Sequence, residues 1–219
     1  MIVLLQGGMG NQMFQVAFGR SQLAECFFDK SGIVPPRTYA LDPFRLPIRF
    51  APPTPGALSG YWQSEKYFNH AQARAIFSNP KTEKEFTEMC AIHVRLTDNL
   101  SERALAFHGN LLDTNYYQKA MKLVTERTGC KVFVVFSDDS EWCVKNLKWK
   151  NVAISATARQ PHLDLWEMAR FPYIIIANSS FSWWAAWLSP QKLVVAPKRW
   201  FVVDVPGAAD IVPERWTQI

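Results

Sequence analysis

The sequence predicts an α/β protein built on parallel β-sheets, and three observations support this fold class. Hydrophobic residues make up 48% of the 219 residues, which is enough for one large core or two smaller ones. Short β-branched runs alternate with helical patterns from Met89 to Ala196, and the chain opens with a strand, a glycine turn and a helix. Such alternation produces right-handed crossovers and a parallel sheet with helices on both faces.

The first part of the chain begins with a short buried strand, predicted from Ile2 to Leu5, and a tight turn from Gly7 to Gly10. Apolar residues at helical spacing then predict a helix from Gln12 to Glu25. Ser31 to Pro55 is rich in proline, which excludes long helices and interior strands, so we predict an irregular, rigid connection. A further helix is predicted from Glu65 to Phe77.

Lys81 to Glu88 is the most polar stretch of the chain, and we therefore predict two domains, residues 1–88 and residues 89–219. The predicted strands of the second domain are Cys90 to Arg95, Val132 to Phe136, Val152 to Ile154, Tyr173 to Ala177 and Leu193 to Ala196. The predicted helices are Asn115 to Thr128, Asp139 to Leu147, His162 to Phe171 and an aromatic helix after Ser180. In parallel sheets of this kind, ligands bind at the carboxyl ends of the strands.

Composition and charge exclude several classes of protein. The net charge is +5, but the basic residues are scattered, which argues against nucleic-acid binding and fits an anionic small substrate. The four cysteines lack CxxC spacing and paired histidines, so we expect reduced thiols rather than a zinc site or disulfides. Since no apolar run reaches the length of a membrane span and the start does not resemble a signal peptide, we expect a soluble, cytoplasmic protein.

Polar side chains follow three of the predicted strands, and we expect them to converge at one edge of the sheet. These are His93, Arg95 and Asp98 after the first strand, Ser137 to Asp139 after the second, and Asn178 to Ser180 after a later one. The planar, permanently charged guanidinium of Arg95 can grip a phosphate with two hydrogen bonds. The alternative for Arg95 is a salt bridge to Asp98 at the strand end.

The segment from Ile174 to Leu188 runs a buried strand into two hydroxyls and then into an aromatic helix. Ser179, Ser180 and the unpaired first amides of that helix form a suitable cradle for phosphate oxygens. The alternative is that Asn178 to Ser180 only cap a helix whose tryptophans belong to the core.

Other polar residues give weaker signals. Asp164 opens a helix, where a carboxylate also serves as an ordinary N-terminal stabiliser. The turn from Gly7 to Gln12 would let backbone amides approach a phosphate, but it is not GxGxxG. His70, His108 and His162 have no ligand spacing, so surface or packing roles are favoured for them. The sequence contains neither a nucleophile elbow nor a DxD pair that would hold a metal.

Several motifs, taken in order, resemble glycosyltransferase family 11, the α-1,2-fucosyltransferases. They are GGMGNQMFQVAFGRS (Gly7 to Ser21), GYWQSEKYF (Gly60 to Phe68), HVRLTD (His93 to Asp98), FSDD with a following tryptophan (Phe136 to Asp139, Trp142), ANSSFSWWAAWL (Ala177 to Leu188) and APKRWF (Ala196 to Phe201). More distantly, the chain is similar to the core α-1,6-fucosyltransferases and the protein O-fucosyltransferases.

The resemblance implies a GT-B-like fold, in which two Rossmann-type parallel-sheet domains face a cleft. The N-terminal domain would be reduced and lie on the acceptor side, and the C-terminal domain would bind GDP-fucose. The implied activity transfers L-fucose from GDP-β-L-fucose to the 2-hydroxyl of a galactose in a glycan, with inversion and without a metal or another cofactor.

The resemblance also implies roles for individual residues. Arg95 matches an essential arginine that contacts the diphosphate, and Asp164 matches a guanine-binding aspartate. A carboxylate there would accept hydrogen bonds from guanine N1–H and the N2 amine, which selects GDP over ADP. The positions predicted to bind the donor are Asn11, His93, Arg95, Asp138, Asp164, Ser179, Ser180 and Phe181.

The attacking acceptor hydroxyl benefits from a carboxylate that takes up its proton, and Asp98 and Glu102 are the two candidates. Asp98 belongs to the motif, but proximity to Arg95 would lower its pKa and make it a structural partner instead. Glu102 sits in a loop where the core fucosyltransferases carry a catalytic glutamate. With Arg95, these residues form the predicted catalytic group.

The motif usually written HVRRGDY reads HVRLTDN here, so Leu96 replaces its second arginine, Thr97 a glycine and Asn99 a tyrosine. These replacements would change contacts with the acceptor and some of the contacts with the phosphates. They leave two alternatives open: a fucosyltransferase of another linkage, and a non-catalytic relative that binds a GDP-sugar or a glycan.

Overall fold

The computed structural model describes residues 1–22, 25–81, 85–96, 102–155 and 160–219. The chain divides into two compact units, Met1–Asn79 and Pro80–Ile219. The division predicted at residues 88 and 89 falls inside the second unit, directly before its first strand. Each unit is built on a parallel sheet, which confirms the predicted α/β fold class with Rossmann-type sheets.

In the described residues of the first unit, three short parallel strands form a sheet in the order β1-β2-β3. The strands and helices of this unit are β1 (Ile2–Leu4), α1 (Met9–Gln22), β2 (Phe27–Asp29), β3 (Arg49–Ala51) and α2 (His70–Phe77). The carboxylate of Asp29 accepts hydrogen bonds from the amides of Ser31 (2.8 Å) and Thr54 (2.9 Å), which fixes the loops that follow β2 and β3.

Two predictions for this unit are wrong. The proline-rich segment is not wholly irregular, because it contains β3, which lies between Pro47 and Pro52 at the edge of the sheet. The helix predicted from Glu65 to Phe77 is interrupted, because the side chain of Asn69 accepts a hydrogen bond from the amide of Gln72 (2.9 Å) and caps a new helix, α2.

The described residues of the second unit contain six parallel strands in the order β6-β5-β4-β7-β8-β9. The strands are β4 (Met89–Val94), β5 (Val132–Ser137), β6 (Val152–Ile154), β7 (Tyr173–Ile175), β8 (Leu193–Ala196) and β9 (Thr217–Gln218). The helices are α3 (Glu102–His108), α4 (Tyr116–Thr128), α5 (Ser140–Asn146), α6 (Pro161–Met168) and α7 (Ser180–Leu188). Five of these strands and four of these helices match predicted elements; β9 and α3 were not predicted.

The two faces of this sheet carry different helices. Cys90, Ile92 and Val94 of β4 pack into one apolar cluster with α4 and α5, through residues such as Tyr117 and Cys143. The opposite face carries α6 and α7, which pack against each other. Because side chains alternate along a strand, His93 and Arg95 belong to the α6 and α7 face.

The aromatic helix α7 is anchored in the core. Trp183, Trp184 and Trp187 are fully or almost fully buried, and Nε1 of Trp183 donates a hydrogen bond to the carbonyl of Ile211 (2.6 Å). The alternative is therefore right in placing these tryptophans in the core. A ligand at the amino-terminal end of α7, at Ser180, is compatible with this placement.

Cys26, Cys90, Cys130 and Cys143 are all free thiols, as expected. Cys26 is partly exposed and the other three are buried. Among the described residues, no helix combines the length and the apolar character needed to cross a membrane.

Candidate functional site

The strand order locates a crevice at the carboxyl ends of β4 and β7. The chain passes from β4 to β5 and β6 on one side, and then returns to form β7 on the other side of β4. Ligands of doubly wound sheets bind at the point where the strand order reverses in this way. His93 is the last residue but one of β4 and Arg95 directly follows that strand, whereas Asn178 and Ser179 follow β7.

Arg95 and Ser179 meet at this point. Nη1 of Arg95 donates a hydrogen bond to Oγ of Ser179 at 2.9 Å, although the residues are 84 positions apart in the chain. Ser179 occupies the N-cap position of α7, but its side chain makes no capping hydrogen bond. The predicted side-chain cap is therefore absent, because this hydroxyl orients the guanidinium instead of satisfying a helix amide.

His93 lies beside this pair and is 5% exposed. Its ring stands 5.2 Å from the ring of Phe181, and in the part of the chain that the structure describes its buried Nδ1 has no hydrogen-bond partner. Burial and the charge of Arg95 lower the pKa of His93 to about 3, against the opposing effect of Asp138. The imidazole is therefore neutral at physiological pH.

Asp138 and Leu96 join the ends of two neighbouring strands. Oδ1 of Asp138 accepts a hydrogen bond from the amide of Leu96 at 2.8 Å, so one carboxylate oxygen is bonded to the backbone after β4. The side chain of Leu96 is buried in the cluster under α4 and α5. This replacement of the motif's second arginine therefore lies on the face of the sheet opposite to Arg95.

Asp164, Ser180 and Phe181 lie on the two helices of the Arg95 face. Asp164 is buried in the first turn of α6, which packs against α7. Ser180 is the first residue of α7 and is half-buried, as is Phe181. The predicted anion cradle thus occupies the start of a nine-residue helix.

Glu102, Asp98 and Asn11 are the remaining predicted site residues. Glu102 is the first residue of α3, with an exposed side chain, and Asp98 lies outside the described residues. Asn11 belongs to the first unit, where its Oδ1 accepts a hydrogen bond from Nε2 of Gln63 (2.7 Å). Gly7 has a left-handed backbone (φ 75°), and a Cβ there would collide with the Asn11 side chain.

Sequence reasoning missed the residues that hold the strand ends in place. The hydroxyl of Tyr116 donates to the carbonyl of Ile176 (2.7 Å) and also lies 3.1 Å from that of Val195. The hydroxyl of Tyr117 donates to the carbonyl of His93 (3.0 Å). Both tyrosines are at least 95% buried, and a tyrosine pair at the start of an amphipathic helix is the signal that was available.

His108 is bonded through its carbonyl to Asn178, the residue before Ser179, although the sequence favoured a surface or packing role for His108. Burial and the charge of Arg95 lower the pKa of His108. Nδ2 of Asn178 donates to the carbonyl of His108 (2.8 Å) and to that of Trp200 (3.1 Å), so Asn178 ties three chain segments together.

Among the described residues, cavities of about 310 Å³ are found at two other places. One is on the α4 and α5 face of the larger sheet, where Leu96, Trp142 and Trp149 contribute to its wall. The other is in the first unit, between Arg20 and Arg49. Since neither is lined by Arg95 or Ser179, the strand ends rather than these cavities form the candidate site.

The chain is similar to known glycosyltransferases. The model of glycosyl transferase family 11 matches residues 56–218. An α-1,2-colitosyltransferase of Escherichia coli is 35% identical over 73% of this chain and 61% of that protein. The O-antigen biosynthesis glycosyltransferase WbnK of Escherichia coli is 35% identical over 60% of this chain and 43% of that protein.

A mammalian relative matches a smaller share. Galactoside α-(1,2)-fucosyltransferase 1 of Sus scrofa is 30% identical over 52% of this chain and 32% of that protein. The chain thus spans 61% or less of the length of these three relatives. No solved structure matches the chain.

Proposed function

The chain belongs to glycosyltransferase family 11, and on that premise we propose that it is an inverting, metal-independent fucosyltransferase. Its donor would be GDP-β-L-fucose, and its acceptor the 2-hydroxyl of a galactose in an oligosaccharide or glycan. The names of the bacterial and mammalian relatives support an α-1,2 linkage.

The observation that carries this proposal is the hydrogen bond between Arg95 and Ser179 at the β4 and β7 ends. When the bond between fucose and phosphate breaks, negative charge accumulates on the diphosphate. A guanidinium already fixed by a hydroxyl, next to the first amides of α7, can stabilise that charge without reorganising. This arrangement supports leaving-group stabilisation by the protein itself.

The other residues receive roles that fit their places. Buried Asp164 would accept hydrogen bonds from guanine N1–H and the N2 amine, with neutral His93 near the base. Ser180 and Phe181 would lie along the phosphates. Asp138 would complete the donor contacts of the second unit, and Asn11 stays a predicted donor-binding residue of the first unit.

The proton of the attacking hydroxyl requires an acceptor, for which Asp98 and Glu102 are the candidates. Glu102 has the exposed side chain that a residue reached by an incoming acceptor needs. We therefore expect Glu102→Gln to lower kcat strongly and to change the KM for GDP-fucose only slightly. Asp98→Asn tests the other candidate in the same way.

Purified protein incubated with GDP-fucose and a panel of galactosides tests the function directly. We expect a fucosylated product in which linkage analysis shows substitution at the galactose 2-hydroxyl, with undiminished activity in excess EDTA. Arg95→Lys, which keeps the charge but loses the two-pronged geometry, should lose about 100-fold in kcat/KM. Absence of both transfer and slow GDP release in the wild-type protein would count against the proposal.

A second candidate donor is GDP-colitose, because an α-1,2-colitosyltransferase is 35% identical over 73% of this chain. Colitose lacks the 3-hydroxyl of fucose, so paired assays with the two donors separate these functions. A product linked at another hydroxyl would identify a fucosyltransferase of different linkage. Selective binding of GDP over ADP without turnover on any acceptor would identify a non-catalytic relative.

A further inference from the structure

The carboxyl-terminal end of α3 is fixed to Asn178 and Val202 by side-chain and backbone hydrogen bonds. Asn178 donates to the carbonyl of His108 (2.8 Å), and the amide of Val202 donates to the carbonyl of Phe107 (2.9 Å). Asn178 directly precedes Ser179, whose hydroxyl accepts from Arg95 (2.9 Å). Two consecutive residues after β7 therefore position both His108 and Arg95.

The imidazole of His108 is oriented by aromatic neighbours. Its ring centroid lies 4.9 Å from that of Phe107 and 5.3 Å from that of Phe201. Nδ1 is buried and has no hydrogen-bond partner among the described residues, whereas the residue as a whole is only partly buried. A buried N–H without an acceptor is costly, so the hydrogen-bonding environment assigns the ring proton to Nε2.

The charge state of the ring follows from the same surroundings. Burial and the nearby Arg95 charge both lower the pKa of His108, so the ring is neutral at physiological pH. A neutral imidazole with its proton on Nε2 is a hydrogen-bond donor, and this one is within the influence of the Arg95 charge. That combination suits an anionic oxygen, and it does not suit a general base, because the reachable nitrogen already carries the proton.

We propose that His108 is a further ligand of the leaving diphosphate, to which Nε2–H donates a hydrogen bond beside Arg95 and Ser179. The inference rests on the proposed function and adds a residue to its site. As the bond from the fucose anomeric carbon to the phosphate oxygen breaks, the electron pair passes to the diphosphate. His108 keeps its proton and strengthens its hydrogen bond as that charge grows.

Amide substitutions test which ring nitrogen acts. The amide nitrogen of glutamine reaches about as far as Nε2 of histidine, and that of asparagine about as far as Nδ1. We expect His108→Ala and His108→Asn to lose about 10-fold to 100-fold in kcat/KM for transfer, and His108→Gln to stay within about threefold of wild type. Equal activity of all three variants and wild type, or recovery by asparagine but not glutamine, overturns the inference.

Binding measurements separate a phosphate contact from a merely structural role. Calorimetry should show that His108→Asn binds GDP more weakly than His108→Gln does. The affinity for guanosine, measured by displacement, should be the same in both variants as in wild type. An equal loss of guanosine affinity overturns the inference, since it would place the effect on the base or the fold. His70→Gln, in the first unit, is the matched control for loss of a histidine and should leave both affinities unchanged.

The outcomes also distinguish this inference from the proposed function. If the wild-type protein binds GDP but transfers no sugar, the proposed function fails, and the comparison of GDP with guanosine still decides the role of His108. If transfer occurs and the variants bind GDP like wild type, His108 is not a diphosphate ligand. If His108→Ala does not fold, the glutamine and asparagine variants provide the same test.

Discussion

Ser179 illustrates how a residue in a structural position can serve the site instead. It occupies the N-cap of α7, but its hydroxyl oxygen accepts a hydrogen bond from Arg95. Ser179→Ala should therefore lower kcat/KM by about 10-fold to 100-fold, because a hydrogen bond to a charged group is lost. The free energy of unfolding should change by less than about 1 kcal/mol, because water can replace the hydroxyl at the partly exposed Arg95 and no helix cap is removed.

Ser189, at the other end of the same helix, provides the matched control. Its hydroxyl donates to the carbonyl of Ala186 (2.7 Å) and accepts from the amide of Gln191 (3.1 Å). Ser189→Ala should cost about 1–2 kcal/mol of stability and leave kcat/KM within about twofold. Urea unfolding and steady-state kinetics on both variants check the contrast, and the reverse pattern would show that Ser179 is structural.

Leu96 lies on the opposite face of the sheet from the site, which changes the meaning of its replacement. Leu96→Arg restores the motif's second arginine, but the new side chain would point toward the 310 Å³ cavity near Asp113 and Trp149. We expect the Kd for GDP to stay within about twofold of wild type, since the guanidinium cannot join Arg95. Calorimetry on Leu96→Arg and a Leu96→Met control checks this, and a tenfold gain in GDP affinity would contradict the placement.

The elements of the second unit were largely predictable because local signals agree there. Asp139 caps α5 through the amide of Trp142 (2.8 Å), and Gly129 ends α4 with a left-handed backbone (φ 75°). Both signals lie within a few residues of the boundary that they set. The order of the strands could not be read in this way, because it depends on contacts between distant segments.

The elements that were missed are short or depend on such distant contacts. β3 has three residues, and its prolines are tolerated because they flank an edge strand. β9 has two residues and is defined by its pairing with β8. The interruption before α2 did have a local signal, since Asn69 precedes Gln72 by the spacing of a cap.

The amino-terminal turn of α4 holds the ends of β7 and β8 together through Tyr116. Tyr116→Phe removes the hydroxyl that is hydrogen-bonded to the carbonyls of Ile176 and Val195. All three residues are buried. We expect the free energy of unfolding to fall by about 1–3 kcal/mol, because a buried carbonyl loses its partner. Tyr67→Phe, at an exposed residue, should change stability by less than about 0.5 kcal/mol. Urea unfolding of both variants measures the difference, and equal stabilities would contradict this role.

The convergence of strand ends was predictable, whereas the partners within the site were not. A parallel sheet brings its carboxyl ends to one edge, so Arg95 and Ser179 were expected to be near each other. That Asn178 would hold His108 depends on α3, whose helical pattern is too short to predict. The face occupied by Leu96 follows from strand alternation once β4 has been placed.

A neutral histidine buried near the carboxyl end of β4 makes the stability of the whole molecule depend on pH. The pKa of His93 is lowered to about 3, compared with about 6.5 in an unfolded chain. Above pH 6.5 neither state binds this proton, and as the pH falls below that value the unfolded state binds it first. The contribution of His93 is therefore present above pH 6.5 and is lost progressively as the pH falls toward 3.

We expect this one group to lower the free energy of unfolding by about 2 kcal/mol between pH 7.5 and pH 5. Burial also lowers the pKa values of His108 and His162, which adds to the loss in the same direction. His93→Gln removes the largest contribution and should flatten the pH dependence, even if the variant is less stable at pH 7.5. Urea unfolding followed by the fluorescence of the buried tryptophans, at pH 5, 6 and 7.5, compares the two slopes. Identical slopes would mean that His93 is not kept neutral by its burial next to Arg95.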